Sequence, residues 1–232
     1  MKKALLILHQ KRSQPGDIGE KLIERGYELD IRKPCTGDKL PDNLNEHALV
    51  VIFGGPMSVN DDNIDFIQYE MKWLKVVIES GKPFLGICLG AQMLAKYLGG
   101  DVKKIDCNSS EIGFYEILPS DSSTNIFNEQ KIFFQWHSEG FNLPRDSTLL
   151  ASGNKFKVQA FKHANCYAIQ FHPEVNFKLH LRWLYFVLLS NPGRLFVKGS
   201  QNLLFQMFLR IKYNSKISKW LDNFLDKHFL KT

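Results

Sequence analysis

The stretch Pro83-Phe84-Leu85-Gly86-Ile87-Cys88-Leu89-Gly90-Ala91-Gln92 limits the fold more than any other part of the chain. An apolar run of strand character ends in Gly-x-Cys-x-Gly, and a helix-prone run, Ala91 to Leu98, follows without a gap. A chain that passes from strand to helix at a single residue forces that residue into a strained conformation. Flanking glycines then leave room for the close approach of strand and helix. The corner residue is Cys88. The helix begins at the thiol, so its unpaired N–H groups and partial positive charge are expected to favour the thiolate, the reactive form. A buried, inert cysteine would share this pattern, so Cys88 counts as a nucleophile only if partners are found for it.

The rest of the chain supplies a matching scaffold. Ala4 to His9 is an apolar first strand, Pro15-Gly16 breaks it, and Ile18 to Arg25 has helical spacing with Gly26 as its stop. Tyr27 to Ile31 reads as a second strand, which completes a βαβ unit. Ala48 to Phe53 is a continuous apolar run ending in Gly54-Gly55-Pro56, and such runs suit strands of a parallel sheet covered on both faces. Asn63 to Ser80 carries Ile64, Ile67, Met71, Leu74 and Ile78 at helical intervals and leads into the cysteine strand. Beyond Gly99-Gly100 the segments Asp101–Ile105, Glu111–Leu118, Lys131–Trp136, Thr148–Ser152, Phe156–Lys162 and Cys166–Phe171 are short and strand-like, which predicts added, partly antiparallel strands. Phe177 to Leu189 is a predicted helix. The expected fold is α/β, a central mostly parallel sheet flanked by helices with extra antiparallel strands and a C-terminal helical extension.

At 232 residues the chain suits one such domain or a domain with an appendage, and 44% apolar with 23% charged residues is the composition of an ordinary globular protein and does not suggest disorder. Cys35, Cys88, Cys107 and Cys166 have neither metal-ligand nor disulfide-framework spacing, so no metal is expected and a reducing compartment fits. The apolar run after Met1-Lys2-Lys3 is too short for a signal peptide, and nothing has the length of a spanning helix. A cytoplasmic protein is expected. The net charge of +6 is concentrated: Asn176 to Thr232 holds ten Lys/Arg against two Asp/Glu. The body lacks the basic and aromatic strand pattern of single-strand binders, so nucleic acid is not an expected partner. After Asn191-Pro192-Gly193, two amphipathic helices are predicted, one with Leu203, Leu204, Met207, Phe208 and Ile211 on a face, the other with Ile217, Trp220, Leu221, Phe224 and Leu225. Plain packing on the body is the expectation, with an acidic partner or an anionic membrane surface as the alternative.

A thiol nucleophile needs a base, and the base needs a group to orient it. His172 and Glu174 are of the right types, two apart at a strand end, where i and i+2 side chains point the same way. In parallel α/β sheets, functional groups gather at the carboxyl ends of strands, where both Cys88 and His172 are placed. An oxyanion would need N–H donors, and the N–H groups of Leu89 and Gly55 are the natural ones.

Gly54-Gly55-Pro56, Gly86-Ile87-Cys88-Leu89-Gly90-Ala91-Gln92 and His172-Pro173-Glu174, in this order and at these separations, resemble the class I, triad-type glutamine amidotransferases. The stretch from Gly54 to Asp61 and Glu111-Ile112-Gly113-Phe114 are similar to stand-alone proteins like the amidotransferase domain of GMP synthase. The resemblance covers about residues 1–190, leaving 191–232 as a basic helical extension. It implies a flavodoxin-like sheet and a Cys88-His172-Glu174 triad that hydrolyses the glutamine side-chain amide through a γ-glutamyl thioester, releasing ammonia, without a cofactor. It further implies substrate contacts at Gly54, at Gln92 and, in Trp136-His137-Ser138-Glu139, at His137 and Ser138. No synthetase domain or nucleotide-binding loop is visible, so a separate synthetase subunit would accept the ammonia. A γ-glutamyl hydrolase or peptidase with the same triad, or a non-catalytic binding protein on this fold, remain the alternatives. Oligomeric state is not legible.

Overall fold

The computed structural model describes residues 2–105, 109–121 and 124–230. Cys107 and the last two residues of the extension, 231–232, lie outside these. Strands β1 (Lys2–Ile7), β2 (Tyr27–Arg32), β3 (His47–Ile52), β4 (Phe84–Ile87) and β12 (Cys166–Ile169) pair in parallel in the order β2-β1-β3-β4-β12. Three antiparallel strands extend the same sheet beyond β12: β11 (Ala160–His163), β10 (Thr148–Ser152) and β7 (Leu118–Pro119). Two short antiparallel pairs stand apart, β5 (Val102–Lys104) with β9 (Glu139–Phe141), and β6 (Glu111–Glu116) with β8 (Ile132–His137).

Apart from the edge strand β2, which is partly exposed and mixes polar with apolar residues, the parallel strands are buried on both faces over most of their length, which is why they are largely apolar without alternation. Leu6, Leu8, Val51, Leu85 and Ile87 face one way, against Ile18 and Leu22 of α1 (Gly16–Glu24), Leu179 of α5 (Phe177–Ser190) and the second half of α6 (Leu203–Phe224). Leu5, Ile7, Val50, Ile52 and Phe84 face the other way, against Ile67, Leu74 and Val77 of α2 (Asp65–Ser80) and Met93 and Leu94 of α3 (Leu89–Tyr97). A one-turn helix, α4 (Thr124–Phe127), carries Phe127 into the first of these cores. Among the described residues no helix is long and apolar enough to cross a membrane.

The C-terminal region differs from its sequence expectation. It holds one continuous helix, because no glycine or proline interrupts residues 203–224, and the chain then closes in a single wider turn at Leu225–Phe229. The two predicted apolar stripes lie on opposite sides of that helix. Ile217, Trp220, Leu221, Phe224 and Leu225 are core, with Trp220 stacked on Phe127 and edge-on to Phe133 and Phe171. Leu204, Phe208 and Ile211 face solvent. Ion pairs bind the second half to α1, with Lys21 to Asp222 at 2.6 Å and Arg25 to Asp226 at 2.7 Å. Ahead of α6, residues 198–201 lie along β6: Ile112 N–H donates to Gly199, Gln201 N–H donates to Ile112, and the Gln201 side chain bonds both N–H and C=O of Phe114.

Candidate active site

Four parallel strands deliver their carboxyl ends to one place. His9 follows β1, Gly54-Gly55 follows β3, Cys88 follows β4 and His172 lies just beyond β12. Cys88 has φ +50° and ψ −103°, the left-handed side of backbone space that a residue with a side chain rarely occupies. Its N–H donates to Ile169 at 2.8 Å, and its C=O accepts the first helical bond of α3, from Gln92 at 2.9 Å. The flanking glycines are sterically required. A Cβ on Gly86 would lie 2.5 Å from the Gly90 carbonyl oxygen, and a Cβ on Gly90 would lie 2.2 Å from that of Ile52.

His172 and Glu174 are 2% exposed, and His172 Nδ1 meets Glu174 Oε1 at 2.8 Å. The remaining imidazole nitrogen, Nε2, is buried without a well-aligned oxygen or nitrogen partner, on the side coupled to the Cys88 sulfur. Gly54 shows how tightly these groups converge. A Cβ there would sit 2.8 Å from His172 Cε1 and 3.3 Å from Cys88 Cβ. His172 N–H donates to Phe134 C=O, and Trp183 packs edge-on against the imidazole at 5.1 Å.

Burial alone would pull the His172 pKa down, but the Glu174 carboxylate and then the Cys88 sulfur outweigh it and push the imidazole up to about 10. The raised value is also a statement about stability: the pairing contributes fully below about 6.5, the ordinary value, and is lost as pH rises through about 10. Replacing Glu174 by glutamine removes the leading upward influence. The His172 Cε1–H resonance should then titrate at distinctly lower pH than in the wild type, and an unchanged midpoint would show that the carboxylate does not hold the proton on the ring.

Two buried groups absent from the sequence expectations organise the Gly54-Gly55 peptide. His9 and Glu70 are both fully buried; His9 Nε2 pairs with Glu70 Oε2 at 2.9 Å, while His9 Nδ1–H donates to Gly54 C=O at 3.2 Å. In a trans peptide the C=O and the following N–H point in opposite directions. Fixing Gly54 C=O on His9 therefore turns Gly55 N–H away from His9, and Leu89 N–H, at the first position of α3, has no intrahelical partner.

The residues expected around a substrate also come together. One turn beyond the corner, Gln92 Nε2 donates to Glu139 C=O at 3.1 Å, and His137 Nδ1 donates to the same carbonyl at 2.9 Å. Ser138 is half-buried in the turn between β8 and β9. Glu139 Oε2 accepts from Ser58 at 2.8 Å, so the loop after Gly54 is fastened across this turn. Behind it Glu111 Oε2 lies 3.2 Å from His137 Nε2 and accepts from Gln159, whose carbonyl accepts from Gln135. Glu111 and Glu139 fall inside stretches that carry the resemblance but receive no role of their own from it, and no pattern marks Gln159, since the partners of all three lie on other elements.

The extension contributes one charged group to this interior. Arg210 of α6 is fully buried between the rings of Phe114 and Phe134, at 4.8 and 4.9 Å, with Nε donating to His180 Nδ1 at 3.3 Å. Burial lowers its pKa to about 9, against the opposing pull of Asp17 and Glu174, and burial followed by the Arg210 charge lowers His180 to about 3.

A doubly wound sheet with a thiol, an imidazole and a carboxylate at neighbouring strand ends defines a class, the cysteine-centred α/β proteins that use a nucleophile elbow. The family model for glutamine amidotransferase class-I matches residues 16–188, well over half of the chain, which therefore belongs to the class-I glutamine amidotransferase family. The chain is 36% identical over 147 residues to one subunit of the glutamine-hydrolysing GMP synthase of Sulfolobus acidocaldarius, covering 60% of this chain and 74% of that protein. It is 29% identical over 173 residues to the glutamine-hydrolysing GMP synthase of Wigglesworthia glossinidia brevipalpis, covering 68% of this chain and 30% of that longer one. Among solved structures, a glutamine amidotransferase from Thermotoga maritima superposes with a TM-score of 0.89 at 26% identity, covering 100% of this chain and 99% of that one. The likeness of fold thus runs through the C-terminal helix.

Proposed function

We propose that the protein hydrolyses the side-chain amide of glutamine and releases ammonia to a separate acceptor chain. The observation that carries this reading is the Cys88 thiol at the strained head of α3, converging with a His172 that Glu174 holds. In the proposed sequence, His172 already carries the Sγ proton at Nε2, in keeping with its raised pKa, and the sulfur attacks the amide carbon as the thiolate. The oxyanion accepts from Gly55 and Leu89 N–H. The imidazolium then gives its proton to the amide nitrogen, the C–N bond breaks, and ammonia leaves a γ-glutamyl thioester on Cys88. Water, deprotonated by His172, attacks the thioester; glutamate departs, the sulfur leaves as the thiolate, and the proton taken from water remains on His172. Gln92 and the turn at His137 and Ser138 are assigned to the α-amino and α-carboxyl groups of the substrate. The reading of a separate acceptor chain is supported by the Sulfolobus relative, which is one subunit of its synthase.

The test is chemical. The protein mixed with glutamine and quenched in acid should carry a γ-glutamyl adduct on the peptide containing Cys88, with ammonia and glutamate appearing in equal amounts. An adduct formed only from γ-glutamyl peptides, with no ammonia from glutamine, would make the protein a γ-glutamyl hydrolase instead. No adduct with either would overturn the catalytic reading.

A further inference from the structure

Of the 18 large apolar side chains exposed among the described residues, 11 fall between Phe177 and Ile211. They form one face. On α5, Phe177, Leu181, Tyr185, Leu188 and Leu189 recur at helical spacing in a stripe that borders its buried Leu184 and Val187. On the first half of α6, Leu204, Phe208 and Ile211 do the same, opposite the buried Gln206, Leu209 and Arg210. The two helices pack on each other through Leu184, Val187, Leu203 and Met207, so both stripes flank a shared seam. The turn that joins them carries Phe196, 84% exposed, and Leu204 opens α6 at 82%. A folded chain seldom shows water so much clustered apolar surface without a use for it.

The charge around this face says what covers it. From Val175 to Leu221 there is no aspartate or glutamate, while Lys178, Arg182, Arg194, Lys198, Lys212, Lys216 and Lys219 are all at least partly exposed. Lys219 pairs with Glu129 at 3.7 Å, and the other six cations leave the frame predominantly positive. Apolar side chains that project beyond such a frame fit a surface that is negative at its rim and apolar beneath. That is the profile of an anionic bilayer, in which such residues sink to the acyl boundary while lysine and arginine stay among the headgroups. A second copy of the chain fits poorly, because two-fold pairing would bring two predominantly cationic frames together with no carboxylate between Val175 and Leu221 to pair Lys198 and Lys212.

We propose that the α5–α6 face docks the protein on anionic lipid. The inference goes beyond the proposed glutamine chemistry and does not depend on it. The carbon–sulfur chemistry sits at the strand ends, and the docking face on the outer sides of two helices.

The test is flotation of the full chain with vesicles of phosphatidylcholine alone or with about 30 mol % phosphatidylglycerol, at about 0.1 M and about 0.5 M salt. Binding is expected only with the anionic vesicles at low salt, at least about tenfold above the neutral ones. The pair Phe196→Ser with Leu204→Ser, and separately Lys198→Glu with Lys212→Glu, should each reduce it about tenfold, with circular dichroism and melting unchanged because all four side chains are exposed. Failure to float with anionic vesicles, or flotation indifferent to the serine pair, overturns the proposal. A dimer or an acidic-protein complex in solution that the serine pair dissolves would overturn it as well, by giving the face another occupant.

Discussion

Replacing Cys88 by serine should reduce ammonia release from glutamine by at least about 10³-fold while leaving the fold intact. A hydroxyl in this position keeps the size of the side chain and the corner geometry, with φ at +50° already accommodated by the surrounding glycines. It loses the greater acidity and nucleophilicity that a thiol has over a hydroxyl, which attack on an unactivated amide requires. Melting temperature and circular dichroism should match the wild type, and a diazo-ketone analogue of glutamine should label the parent but not the variant. Ammonia release that survives the change would move the chemistry away from this residue and remove the basis for the proposed function.

The second large effect concerns a residue far from the thiol in sequence. Glu70→Ala leaves His9 Nε2 without its partner inside a fully buried pocket, and the cost is expected to be about 2–4 kcal/mol of folding stability. The same change releases the hold on Gly54 C=O, so Gly55 N–H is no longer fixed in direction. If Gly55 stabilises the oxyanion, kcat should fall by about 10²-fold with KM little changed, since the donor acts on the transition state more than on bound glutamine. Equilibrium unfolding in urea measures the first part and steady-state ammonia release the second. Glu70→Gln, which can still hydrogen-bond His9, should recover most of both. A variant that loses stability but keeps its kcat would confine the His9–Glu70 pair to a scaffolding role.

The contrast between these two residues marks how far the sequence could be read. Cys88 was visible because its geometry is local: the corner, its glycines and the helix start all fall within a few positions, and His172 and Glu174 are likewise neighbours on one extended segment. The parallel sheet was legible for a related reason, since strands buried on both faces must be apolar along their buried length, as β1 is from Ala4, β3 from Ala48, and β4 in full. His9 and Glu70 are 61 positions apart and lie in an ordinary strand end and an ordinary helix, so no spacing rule joins them. Strand β9 was missed because it is three residues long, and the predicted strand from Phe156 began too early, with pairing starting only at Ala160. The tail misled in a different way. Its apolar stripes were real, but the pattern cannot say which side of a helix meets the body, and half of it faces water.

Phe229, almost the last described residue, is fully buried, and with Trp220 and Phe224 it closes an aromatic cluster begun by Phe127, Phe133 and Phe171. Translation proceeds from the other end, so the strands emerge from the ribosome well before the ring systems that cover them. The nascent chain therefore waits with one side of its sheet only partly covered, by α1 and α5, until α6 has been made, a period in which chaperones would be its natural shelter. Loss of even the helical turn that carries Phe229 would leave that roof unfinished.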